Sequence, residues 1–248
     1  MKLSILKFNN SEINQLSEKE RIALFQFGHL HNELMWTQKH LLWVWNQPQN
    51  ESDQALDGRI FAFISTIGRF AGLLRETYKA IDKIYFKTQL SKKYHAQLDS
   101  KAKDAIKELK KYHSKKNLIR EIRNKLAFHS DFNLFGSYLS DISDDSVYQF
   151  YSGEHAGNNF FKFAHDANAA CMLDLTGATD VDKAMTILRK EVVGVVADWT
   201  FEFLTSFLIL ILQNTSRIRE DVDFEAPLDD KIVLPFFTEP PKETNLSL

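Results

Sequence analysis

The chain has 248 residues, 44 % hydrophobic and 26 % charged, with a formal net charge of −2. This is an ordinary soluble globular balance, and the length allows one large domain or two small ones. The single cysteine, Cys171, excludes an intrachain disulfide framework and a cysteine-rich zinc site, and with no activating pattern around it reads as a buried thiol.

Glycine (nine) and proline (five) are scarce, and four of the five prolines follow residue 226. So little turn chemistry disfavours a many-stranded sheet, and the expected fold class is all-α, an elongated antiparallel helical bundle. Residues 1–16 form an N-terminal extension whose apolar run is too short for a signal peptide. Ser17 and Glu20 have capping-box spacing and open a long helix. Its apolar positions recur through Leu24, Phe27, Leu34 and Leu41 to Trp45, and Pro48 should end it. A second long helix is expected over 53–89, with Ile60, Phe61, Ile64, Ile67, Ala71, Leu74, Tyr78, Ile81 and Tyr85 as its buried stripe. A short connection between two such helices makes them an antiparallel hairpin.

The next stretch is basic. From Lys87 to Lys125 there are thirteen Lys/Arg against Asp99, Asp104, Glu108 and Glu121, an excess of nine positive charges, which leaves −11 on the rest. A local excess in a globally acidic chain suggests a surface for a polyanion; a solvated lysine-rich helix face is the plainer alternative. A short helix over 91–98, a second capped by Asp99 or Ser100, and a third starting at Ser114 are expected. The third carries Leu118, Ile119, Ile122 and Leu126 on its buried side. Between 130 and 177 the pattern changes: 147–151 and 160–163 are β-prone, with glycines and asparagines between them. A small β-hairpin insertion near 147–163 (within 145–164) is expected there. Asp180 then caps a last long helix to about residue 214, apolar all round beyond Phe203. Its most apolar part, 203–212, is too short for a bilayer span and is abutted by Glu202, so no membrane segment and a cytoplasmic location are expected. Residues 215–248 are acidic and proline-bearing, a tail laid over the surface or disordered.

One run, Arg123-Asn124-Lys125-Leu126-Ala127-Phe128-His129, builds strongly polar groups into a packing helix at the end of the basic segment. Histidine can act as acid or base near neutral pH. Arginine presents a permanently charged planar fork that matches phosphate oxygens. An amide such as Asn124 can orient either one. Six residues at 100° place His129 about 240° round an ideal α-helix from Arg123, so the two do not share a face. Either the helix ends before His129, or each side chain meets partners from another copy.

Arg123-Asn124 followed at His129 by histidine resembles the signature of the HEPN superfamily, all-helical domains that include RNA-cleaving toxins and antiphage effectors. The wider run from Ile122 to His129, with Asp131 after it, is most similar to the abortive-infection subgroup. The resemblance covers about 17–214. It implies a metal-independent endoribonuclease acting through 2′-hydroxyl attack, with no cofactor, and two copies of the motif facing each other across a homodimer. Arg123, Asn124 and His129 are the implied catalytic residues, with Lys125 and Asp131 in support. Lys110, Lys111, Lys115, Lys116 and Arg120 are the expected RNA contacts. Some members are silenced by nucleotidyl modification of a tyrosine two positions after the histidine; here that position is Asp131, so this control is not expected. An antitoxin or nucleotidyltransferase partner is left unnamed by the sequence. Other members have lost catalysis, so a catalytically inactive RNA- or protein-binding module is the alternative. The bland reading is that Arg123 pairs with a carboxylate and His129 ends a helix, where a cation favours the dipole.

His29, Glu33 and His40 share a face of the first helix at metal-ligand spacing, but without a second Glu-x-x-His set they read as hydrogen-bonded core residues. His31 and His165 are isolated, and His95 and His113 are weak phosphate candidates. Trp36, Trp43 and Trp45 read as core. No glycine-rich phosphate loop and no Gly-x-Ser-x-Gly supports nucleotide or serine hydrolysis.

Overall fold

A helical hairpin is the centre of the molecule. The structure, a computed structural model, describes residues 2–46, 51–127, 136, 138–140, 143, 145–153, 158–213, 218–223, 225–226 and 232–238. Strand β1 (Lys2–Lys7) and a short α1 (Asn10–Ile13) precede α2 (Glu18–Trp45) and α3 (Asp53–Ile81), the two long helices that pack on each other. The Ser17 side chain accepts the Glu20 amide while Glu20 accepts the Ser17 amide, so the capping box forms as its spacing predicts. On α3 the predicted stripe is buried at Ile64, Ile67, Ala71, Leu74 and Ile81, while Ile60, Phe61 and Tyr78 sit half-buried at its edges.

α3 runs on without a break as a π-helical turn, Asp82–Phe86. Thr88 then caps α4 (Gln89–Tyr94), which ends in a 3-10 turn at His95–Gln97. The Asp99 side chain accepts the Ala102 amide at 2.9 Å and starts α5 (Ser100–His113). The next helix, α6 (Leu118–Ile122), is capped by Asn117 and not by Ser114 as expected, and it continues as a second π-helical segment, Arg123–Ala127. Asn117 wins because it does more than cap: its amide also donates to the carbonyls of Tyr112 and Lys115.

Two sequence expectations change in the next part. Residues 160–163 were β-prone by composition, yet only Phe160 pairs, in a single antiparallel bridge with Tyr151, and helix α7 starts at Lys162 and runs to Thr176. His165, Ala167, Cys171 and Met172 form the buried face of α7, so packing on the bundle overrides local β propensity. Gly177, at φ 65°, ends α7 in the left-handed conformation that suits glycine. Asp180 caps α8 (Val181–Leu188), which passes through a third π-helical segment, Arg189–Val196, into α9 (Ala197–Gln213). By length and composition alone this continuous 33-residue helix could cross a bilayer, with 39 % of its most apolar window buried inside the protein. Counting only its ten most apolar residues understated its apolar length. Its inner face, Phe203, Leu204, Phe207 and Ile211, packs on α2 and α5. The rings of Phe203 and Phe207 stack, and Tyr85, Tyr94 and Phe27 meet them edge-on, making an aromatic centre to the core.

Two described segments near the termini pair with each other. β2 (Ile218–Asp223) pairs antiparallel with β1, Lys2 opposite Asp223 and Lys7 opposite Ile218, so part of the predicted extension and part of the predicted tail form a small two-stranded sheet. Residues 232–238 lie along the hairpin. Asn46 donates to the Ile232 carbonyl at 2.6 Å, and the Phe236 ring lies against Gly58, where a Cβ would come within 2.8 Å of it.

Candidate functional site

Arg123 is carried on a helix fixed at its start. The Asn117 side chain accepts the Arg120 amide at 2.9 Å, and Ile119 and Ile122, both fully buried, press α6 onto α3. The guanidinium of Arg123 then reaches α3: Nη2 donates to Glu76 Oε1 at 3.1 Å and Nη1 to Asn124 Oδ1 at 3.2 Å. Arg123 therefore does pair with a carboxylate. Glu76 also takes Lys79 Nζ at 2.8 Å. Burial would raise the Glu76 carboxyl, but Lys79 and Arg123 outweigh it and hold it below the ordinary carboxylate range.

A second arginine stands beside this pair. Arg75 Nη1 lies 3.3 Å from His113 Nδ1, and its guanidinium is 5.9 Å from the Tyr78 ring centre. Burial, followed by the positive charge of Arg120, pulls the Arg75 pKa down, and Arg123 adds in the same direction. Arg75 thus feels two further guanidiniums, Arg120 and Arg123, with Glu76 opposing them. His113 stacks on Tyr78 with centroids 4.1 Å apart and is 7 % exposed. Burial and then Arg75 push its pKa down to about 3. The imidazole is neutral; since Arg75 can only donate, Nδ1 accepts and Nε2 carries the proton. That buried Nε2 has no hydrogen-bond partner among the described residues. His113 is thus a buried holder of Arg75 and not the surface phosphate contact the sequence suggested.

The expected RNA contacts separate onto different faces. Lys111, Lys115 and Lys116 line a cleft of about 510 Å³ that also contains Glu108, Glu121 and Glu191. There Lys111 pairs with Glu108, and Glu121 is shared by Lys116 and Lys125. Lys111 and Lys116 are thus answered by carboxylates, while Lys115 makes no ion pair among the described residues but shares the cleft with Glu108, Glu121 and Glu191. Arg120 is exposed on the Arg75 side. Lys110 lies on a different face, its ammonium 5.1 Å above the Phe86 ring.

His129 and Asp131 lie outside the described residues. Over Arg123–Ala127 the expected α-helical phase does not hold. Arg123–Ala127 is π-helical, with i to i+5 hydrogen bonds and a wider turn, so 100° per residue does not apply. π turns are rare and frequent at functional sites, and composition gives no signal for one. The sequence reading also missed Arg75, Glu76 and Tyr78 as site residues. The signal was present as an Arg-Glu pair interrupting the apolar α3 pattern, but only packing reveals that it faces α6.

The other candidates are placed differently. His29 and Glu33 are exposed, not core, and His40 lies against the rings of Trp36 and Trp43. Trp36 is half exposed rather than core, whereas Trp45 packs on Phe63 under Arg189. No three His, Cys, Asp or Glu side chains among the described residues come together as a metal-ligand set. His31 meets Phe201 and Thr205, and His165 is buried under Phe61 and Phe160. In comparisons with known proteins, no family model, no curated protein and no solved structure matches the chain.

Proposed function

We propose that the protein is a metal-independent endoribonuclease of the HEPN type, a toxin or antiphage effector, acting as a cytoplasmic homodimer. The observation that carries this reading is the Arg123–Asn124 pair held at the end of the basic segment with Arg75 and Arg120 beside it. Such a cluster suits an anionic, pentacoordinate phosphorus, because guanidinium charge is fixed and its donors are planar. In the reaction the RNA 2′-oxygen attacks phosphorus as its proton passes to a base. The bond to the 5′-oxygen breaks, and an acid gives that oxygen a proton. The products are a 2′,3′-cyclic phosphate and a 5′-hydroxyl. His129 is the residue proposed for this proton traffic. One His129 per chain and two proton transfers favour a site shared by two copies. The long α8–α9 helix is taken here as a core helix, because its inner face is packed against α2 and α5.

Purified protein incubated with RNA in EDTA is the test. Cleavage leaving 2′,3′-cyclic phosphate ends, lost in Arg123→Ala and in His129→Ala, is the expected result. No cleavage, or cleavage indifferent to both substitutions, sinks the reading. The pairing of Arg123 with Glu76 favours a second reading, a catalytically inactive RNA- or protein-binding module in which Arg123 is structural. That reading predicts salt-sensitive RNA binding without cyclic phosphate products.

A further inference from the structure

A cleft of about 550 Å³ opens between the π turn Asp82–Phe86, α4 and α5. Phe86, Lys92, His95, Lys103, Lys107 and Lys110 line it, and among its described lining residues Asp104 is the one carboxylate. Here the positive charge is not answered as it is on the glutamate-lined face. Lys92 and Lys107 make no ion pair among the described residues, Lys103 donates to the Ala96 carbonyl, and Lys110 lies over Phe86. The histidine is oriented. Tyr85, fully buried, has its hydroxyl 3.2 Å from His95 Nδ1. Burial raises the Tyr85 pKa to about 12, so the hydroxyl keeps its proton and can donate to Nδ1. His95 Nε2 is the ring nitrogen on the side away from this contact.

The cations form a line and not a convergent pocket. Lys103, Lys107 and Lys110 follow one another at intervals of four and three residues on α5, about 10 Å of helix. One turn beyond Lys110 is His113, which holds Arg75. On the facing helix, Phe86 and Arg75 are eleven residues apart, about 16 Å. The line therefore runs along α5 toward Arg75, whose guanidinium meets His113, with Arg120 and Arg123 beside it. A free nucleotide concentrates its phosphates at one point, whereas a strand presents them at intervals, as a groove that tracks a backbone requires.

We infer that the cleft between α4 and α5 binds backbone phosphates of a single-stranded RNA, through Lys92, Lys103, Lys107, Lys110 and His95, on a strand that continues to the Arg123 site. This rests on the RNA-directed reading given above.

The test uses a fluorescent 2′-O-methyl oligoribonucleotide, which has the backbone but lacks the nucleophile, so cleavage cannot disturb binding. The full chain is compared with a Lys92→Gln/Lys103→Gln/Lys107→Gln variant and with Lys111→Gln/Lys115→Gln/Lys116→Gln on the glutamate-lined face. Loss of affinity by roughly tenfold near 0.1 M salt in the first variant is expected, with the slope of log affinity against log salt shallower by about 2, since each single-strand phosphate contact contributes about 0.7. The second variant should change affinity by less than about threefold. Wild-type affinity in the first variant, or an equal loss in the second, overturns the inference. Displacement of the oligonucleotide by a nucleoside triphosphate at equal phosphate concentration also overturns it, because the cleft would then be a free-nucleotide site. A circular dichroism spectrum unchanged from wild type shows that a loss is not unfolding. Cleft-dependent binding without cleavage in EDTA removes the nuclease reading and keeps the RNA subsite; cleavage with binding indifferent to the cleft lysines does the reverse.

Discussion

Mild acid should cost the protein stability at His113, because the unfolded chain takes up a proton there that the folded chain refuses. His113 has a folded pKa of about 3 against an ordinary 6.5, so folding favours its neutral form. Its contribution to stability is therefore fully present above about pH 6.5 and is lost as pH falls toward about 3. Between pH 7 and pH 5 the unfolded chain takes up about three quarters of a proton at this position and the folded chain takes up almost none. By linkage that difference amounts to about 2 kcal/mol. His31 and His165, also lowered by burial, act in the same direction, so wild type alone does not isolate the effect. The variant His113→Phe does. Phenylalanine keeps a ring against Tyr78 and removes the titration, while leaving Arg75 without its acceptor costs about 1–2 kcal/mol at pH 7. Urea unfolding at pH 7, 6 and 5 is the assay. Stability of wild type should fall by about 2 kcal/mol more than that of the variant over this range, so the two approach each other. If the two fall in parallel, His113 is not a buried neutral imidazole, and the account of how Arg75 is held fails with it.

Two other features of the scaffold give measurable outcomes. Glu20 is 3 % exposed and receives Lys93, the Tyr94 hydroxyl at 2.7 Å and Ser17. Burial would raise its carboxyl, but these partners outweigh it and hold it at about 2, below the ordinary 4.5. Its contribution is present above about pH 4.5 and is lost as pH falls toward about 2. Glu20→Gln should therefore cost roughly 3 kcal/mol at pH 7, and calorimetry at pH 3.5 should show that gap smaller by about 1 kcal/mol; a gap that stays constant with pH would show that the charge is not what matters. Asn117→Ala should cost about 1–2 kcal/mol through the lost cap. Asn117→Asp, a good cap by itself, should recover little of that loss, because its second oxygen would face the carbonyls of Tyr112 and Lys115. Full recovery by aspartate in denaturant unfolding would limit the role of Asn117 to capping.

Much of the fold is written locally. The Ser17–Glu20 box, the Asp99 and Asp180 caps and the apolar stripe of α3 act through neighbours three or four residues away, so an all-α bundle and most of its helix starts are legible without any tertiary contact. It also located the basic segment, since charge needs no fold to be counted. What depends on distant partners was not legible. The β-prone 160–163 became the start of α7 because His165 and Cys171 are buried against the bundle. Strand β1 formed because β2, more than two hundred residues later, supplies its hydrogen bonds. The sequence placed Arg123 and Asn124 together, but only the tertiary structure brought Glu76 and Arg75 to them from α3, buried His113 beneath Arg75, and made the segment π-helical. Only packing, too, sorted the lysines into those answered by glutamates and those along the α4–α5 cleft, because a helix face is assigned by its neighbours and not by its charge.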